Sequence, residues 1–232
     1  MEIFIGTSGW YYSWNEGGNF TWFIENSGLN SVELNASFYR FPFPNQIKAW
    51  AKSGKHLRWA IKVNRLITHV FKLDSRAFQT WKEFEKLFEP LAKCIDFYLF
   101  QLQPNTTPNS IEKIEEFIHK VDLGSKFALE FRNEEWFNNL YVNWAEKLGI
   151  TLVSIDAPDL PRTIFNTSGA VYERIHGRSE WYSHFYSDEE LQEIADKIVN
   201  AKPERAYVYF NNDHAMLENA QRMRQIFMSM KK

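Results

Sequence analysis

Short apolar or alternating runs recur along the chain, separated by longer stretches of helical period. The strand-type runs are residues 3–7, 31–35, 58–63, 97–102, 126–131, 151–155, 171–176 and 207–211. The clearest helical segment is 74–91, where Phe78, Trp81, Phe84 and Phe88 recur at a spacing of three to four. A second helix is expected over 110–119, with Ser110 as its cap, Glu112 and Glu115 early and Lys120 late. Residues 134–148 predict a helix stopped by Gly149. Another begins at Ser187, with Asp188, Glu189 and Glu190 in its first turn, and the last runs from Asp213 to Phe227.

Eight strand-type runs alternating with helices imply a parallel sheet. The predicted fold is α/β, a single (β/α)8 TIM-type barrel over residues 1–232, because 232 residues suit one closed sheet with short loops. An open doubly wound sheet is the alternative. Gly6-Thr7-Ser8-Gly9-Trp10 lacks the spacing of a dinucleotide-binding turn. Residues 156–169 fall where one helix should lie and predict a loop or a degenerate helix.

Strand side chains alternate between faces, so parity assigns each a direction. With the apolar set turned to the helices, the mixed set faces the barrel axis. Its polar members fall near the carboxyl ends of the strands: Glu33, Asn35, Lys62, Gln101, Glu130, Arg132, Asp156, Arg174, His176 and Asn211. Barrel enzymes build their sites at that end. Tyr39, Arg40, His69 and Arg178 are candidate additions from the adjoining loops.

Composition narrows the chemistry. A net charge of −2 argues against an extended nucleic-acid face. The lone Cys94 cannot form an internal disulfide, and no basic start precedes an apolar leader, so a cytoplasmic protein is expected. No apolar stretch is long enough for a membrane helix.

Six segments carry a family resemblance. They are Gly6-Thr7-Ser8-Gly9-Trp10, Glu33-Leu34-Asn35-Ala36-Ser37-Phe38-Tyr39-Arg40, Phe100-Gln101-Leu102-Gln103-Pro104, Leu129-Glu130-Phe131-Arg132, Arg174-Ile175-His176-Gly177-Arg178 and Tyr209-Phe210-Asn211-Asn212-Asp213. Together, from first strand to last, they resemble the YecE-like family, domain of unknown function 72. The resemblance implies a TIM-type barrel and supplies no reaction. Gln103-Pro104 departs from the consecutive prolines expected there.

The polar set supports several readings. The first is an enzyme, hydrolase or lyase, acting on a small phosphate- or carboxylate-bearing substrate. In that reading Glu33, Glu130, Asp156 and His176 are candidate acids and bases. Asn35, Tyr39, Arg40, Lys62, His69, Gln101, Arg132, Arg174, Arg178 and Asn211 would bind substrate. No cofactor is predicted. A metal-dependent phosphodiesterase of endonuclease-IV-like type is an alternative, although no His-x-His or His-Glu-x-x-His spacing occurs. Loop aromatics such as Trp10, Tyr39, Trp181 and Tyr182 allow a glycoside hydrolase. The stretch Phe38-Tyr39-Arg40-Phe41-Pro42-Phe43-Pro44 allows a non-catalytic barrel that binds nucleic acid or another ligand.

Overall fold

A computed structural model describes residues 1–230. Eight parallel strands wind in a nearly closed barrel: β1 (Glu2–Thr7), β2 (Ser31–Leu34), β3 (Arg58–Lys62), β4 (Ile95–Gln101), β5 (Phe127–Glu130), β6 (Thr151–Asp156), β7 (Ala170–Ile175) and β8 (Arg205–Phe210). All eight predicted strands are present, with ends moved by one or two residues. Hydrogen-bonded ladders run from β2 through to β8 and on to β1. The remaining seam, between β1 and β2, is bridged by Asn30. Its Oδ1 accepts from Ile5 N at 2.8 Å, and its Nδ2 donates to Ile3 O at 2.9 Å. Gly6 makes this approach possible, since a Cβ there would lie 2.5 Å from Ser31 O.

The surrounding helices are α1 (Phe20–Asn26), α2 (Pro44–Ser53), α3 (Ser75–Leu87), α4 (Ile111–Val121), α5 (Asn139–Leu148), α6 (Asp188–Asn200) and α7 (Met216–Met230). No helix joins β6 to β7, so the irregular stretch expected there is a loop. Asp74 caps α3 by accepting from Arg76 N and Ala77 N. The predicted helix 74–91 divides near Phe88, because Pro90 has no N–H to continue the ladder. The predicted helix 134–148 divides at Asn138, whose side chain accepts from Leu140 N and starts α5 afresh. Ser110 ends a short 3₁₀ turn and makes no side-chain cap. Gly149 stops α5 in the left-handed conformation, and Ser187 with Glu190 forms a capping box on α6.

Two cores result. The larger lies between sheet and helices, with Trp59, Trp81, Phe84, Phe100 and Trp136 fully buried. The smaller fills the barrel axis with Ala60, Phe97, Leu99, Val153, Tyr172 and Tyr209. Below these, Arg58 and Asp96 form an ion pair, and Tyr207 donates to Asp96 at 2.8 Å. The axis is thus plugged from beneath, and a second polar cluster forms toward the carboxyl ends of the strands.

Candidate functional site

Five charged side chains, Glu33, Lys62, Glu130, Arg132 and Arg174, converge above this plug. Arg174, near the end of β7, is fully buried and uses three nitrogens. Its Nε and Nη2 hold both oxygens of Glu33 at 2.9 and 2.8 Å, and its Nη1 holds Glu130. Ser8 and Tyr172 also donate to Glu33, at 2.6 and 2.5 Å. Arg132 holds the other oxygen of Glu130 through Nε. Burial opposes the charge on Glu130, but Arg132, Arg174 and Lys62 outweigh it and hold the carboxyl down at about 2. Glu33 thus accepts four hydrogen bonds and Glu130 two, so every oxygen of the pair already faces a donor.

Lys62 closes β3 and has no such partner. Its Nζ lies 4.4 Å from the centroid of the Phe38 ring and makes no ion pair or protein hydrogen bond among the described residues. Only 9% of the residue is exposed. Burial, then the nearby Arg174, lowers its ammonium to about 7 despite the opposing charges of Glu130 and Glu33. The cluster thus contains three basic groups, Lys62, Arg132 and Arg174, against two carboxylates, and Lys62 is the surplus.

His176 is buried between two donors or acceptors. Arg132 Nη2 lies 3.2 Å from its Nε2, and the Asn211 amide lies 3.2 Å from its Nδ1. Burial, reinforced by Arg174, Arg132 and Lys62, keeps the ring well below the usual histidine range. A neutral ring has one donor and one acceptor. Arginine only donates, so Nε2 accepts and the neutral ring carries its proton on Nδ1, the nitrogen that faces the Asn211 amide. The same burial and cations that lower the ring oppose an imidazolium here, and the ring touches Arg132 on one side and Asn211 on the other.

Two expectations are corrected. Asp156 faces outward from β6, because Val153 and Ile155 take the axial side of that strand. Asp156 instead binds Arg178 at 2.9 Å and accepts from Tyr186 at 2.7 Å. Arg178 also reaches Glu193 at 2.7 Å, so neither residue belongs to the axial cluster. The same outer layer buries Glu173, whose Oε2 has no partner; burial and then Asp156 push its carboxyl well above the usual range.

The other predicted residues form the rim. Asn35 follows β2, with a buried Oδ1 that has no partner. Gln101 ends β4 half-buried. His69 stacks edge-on against Phe38 at 5.0 Å, with Nδ1 2.8 Å from Thr68 Oγ1; burial, then Lys62, lowers it to about 4. Tyr39 and Arg40 stay exposed beside a cleft of ≈ 710 Å³, which Asn35, Ser8 and Trp10 also line. A second cleft, of ≈ 680 Å³, is lined by Arg132, Asn133, Asp159, Trp181 and Tyr182. Arg132 lies over the Trp181 ring at 4.9 Å. Its Nη1 makes no hydrogen bond to protein among the described residues.

The sequence reading missed Ser8, Tyr172 and Glu173, and took Phe38 only as part of an aromatic loop. Tyr172 was detectable, since it shares parity with Arg174. Ser8 follows β1 and Phe38 ends a single 3₁₀ turn, where no strand parity points. Among the described residues, no three of His, Cys, Asp and Glu gather as metal ligands. Glu33 and Glu130 have no exposed surface, so this pair does not flank an open cleft as a glycosidase pair would.

The family described as "Protein of unknown function DUF72" matches residues 4–232. The chain belongs to the DUF72 family. A solved DUF72 protein from Thermotoga maritima superposes with a TM-score of 0.86 at 22% identity, covering 98% of this chain and 100% of that one. Another from Enterococcus faecalis gives 0.85 at 19% identity, over 97% and 95%. A D-psicose 3-epimerase solved in the presence of D-fructose gives 0.54 at 11%, over 100% and 98%. These similarities establish the barrel fold. A comparison with curated proteins finds no match.

Proposed function

We propose that this DUF72 barrel is an enzyme that binds a small phosphate- or carboxylate-bearing substrate at its C-terminal mouth. The carrying observation is the imbalance at the axis. Glu33 and Glu130 are saturated by Arg174 and Arg132, while Lys62 Nζ and Arg132 Nη1 remain without a carboxylate. Unfilled donors in a site of surplus positive charge favour an anion.

Lyase-like proton transfer fits better than hydrolysis. A hydrolase needs a base to activate water, and both axial carboxylates already accept from two or more donors. Lys62, lowered to about 7, is the group able to exchange a proton near neutrality. Arg132 orients the anion, with neutral His176 fixing its guanidinium.

Melting curves in phosphate and in chloride at matched ionic strength test the reading. A ligand at about 100 times its Kd stabilises by about 2.7 kcal/mol. At roughly 2–4 °C per kcal/mol the rise is readily seen. A saturable rise that Arg132→Gln abolishes is expected. No rise, or the same rise in the variant, contradicts it.

A further inference from the structure

We propose that Lys62 is a nucleophilic amine that forms an imine with a small aldehyde or ketone carrying a phosphate or carboxylate, whose anion rests on the free edge of Arg132. This rests on the anion-binding reading above and adds the carbonyl and the covalent step.

Four observations converge on it. Lys62 stands at the carboxyl end of an axial strand, where reacting groups of barrel enzymes gather. Its Nζ has no carboxylate bonded to it, and its face contact is the apolar ring of Phe38. The charged groups that act on it are Arg174, Glu130, Glu33 and Arg132, and His69 lies near enough to feel its charge in turn. Desolvation beside other cations is the environment that frees a lysine amine for attack on a carbonyl. The lowered ammonium, about 7, agrees with that geometry.

The step balances without an oxidant or reductant. The Nζ lone pair attacks the carbonyl carbon, and the carbonyl oxygen becomes a hydroxyl. The two protons of the amine pass in turn to that oxygen, the first making the hydroxyl and the second releasing it as water as the C–O bond breaks, and a C=N bond remains. His69 rests on the same Phe38 ring as Lys62. Its Nδ1 is engaged with Thr68 Oγ1. Protonation of the imine restores a cation at the axis. Glu33 and Glu130 are already matched to two arginines, so the balancing negative charge has to come with the substrate. That requirement is what selects a carbonyl compound that is itself anionic.

Reductive trapping tests this. The protein is incubated with glyoxylate or dihydroxyacetone phosphate and cyanoborohydride at about pH 7.5, and labelled peptides are mapped by mass spectrometry. Ordinary lysines, with pKa near 10.4, are almost wholly protonated there. Lys62 should be labelled at least ~10-fold faster than any other lysine, and uncharged dihydroxyacetone should label it more slowly. Lys62→Met should lose the adduct, with Lys62→Arg as a second variant that keeps the charge. The site labelled in the unsubstituted protein decides the matter even if a variant unfolds. Labelling spread evenly over surface lysines, or equal rates with the uncharged probe, overturns the proposal. If both probes raise the melting temperature yet leave Lys62 unlabelled, the imine is overturned and anion binding stands. If they neither stabilise nor label, both readings fall.

Discussion

Arg174 is the residue on which the axial cluster depends. It is fully buried and binds two buried carboxylates through three nitrogens. Arg174→Ala would leave Glu33 and Glu130 partly unpaired in a closed interior, at a cost of about 3–5 kcal/mol, readable by urea unfolding. A loss below about 1 kcal/mol would mean that water compensates the carboxylates. Glu173 behaves in the opposite sense. Its folded-state carboxyl is raised, so the folded protein holds a proton that the unfolded chain releases above the ordinary glutamate range. Stability is then lost as pH rises from that range toward the folded value. Glu173→Gln should raise the melting temperature at about pH 8 and leave it unchanged near pH 4. A gain of equal size at both would assign the effect to packing. Charge placement at such positions was only half legible in the sequence. The axial faces of β2, β3, β5 and β7 followed from parity, because each carries apolar residues on one side and mixed residues on the other. Glu173 gave no such signal, since it sits among the outward apolar residues Val171 and Ile175.

At the scale of elements, β6 shows why parity failed. Leu152, Val153 and Ile155 are all apolar, so the strand does not announce which side is inside. The helix that would follow it is replaced by a loop joining β6 to β7, while α5 packs beside the strand. Polar groups there anchor the loop: Ser154 accepts from Phe165 N at 2.8 Å, and Thr167 accepts from Leu152 N at 3.0 Å. Asp156 belongs to this outer layer for the same reason. The seam between β1 and β2 was equally invisible, since it is closed by a side chain. Asn30→Ala removes two hydrogen bonds from that seam and should cost roughly 1–3 kcal/mol by denaturant unfolding. Gly6→Ala should be worse, because the added methyl meets the Ser31 carbonyl rather than a movable side chain. An unchanged unfolding midpoint in both variants would mean that the barrel does not need the seam closed.

At the scale of the whole molecule, the closed sheet gathers onto one axis charges that lie far apart in sequence. Glu33 and Arg174 are 141 residues apart, yet they share two hydrogen bonds. Eight strands and their order were legible because strand and helix periods alternate along the chain. The surplus charge was not, because it depends on which partners each cation finds after closure. That surplus makes anion binding proton-linked. Lys62 is lowered in the folded protein, so near pH 8 it is mostly uncharged, and an arriving anion should draw a proton onto it. The same lowering destabilises the fold fully below about pH 7, an effect that fades as pH rises to the ordinary lysine range. Lys62→Met should therefore stabilise the protein by a few kcal/mol near neutrality, at about 1.4 kcal/mol per pKa unit, and by little near pH 10. The most direct measurement is calorimetric titration with sulfate, which does not titrate in this range, in two buffers of different ionisation enthalpy. Binding at about pH 8 should take up close to one proton, and at about pH 6 almost none, with the uptake lost in Lys62→Met. Binding without proton uptake, or uptake unchanged in Lys62→Met, would contradict an anion site built on Lys62.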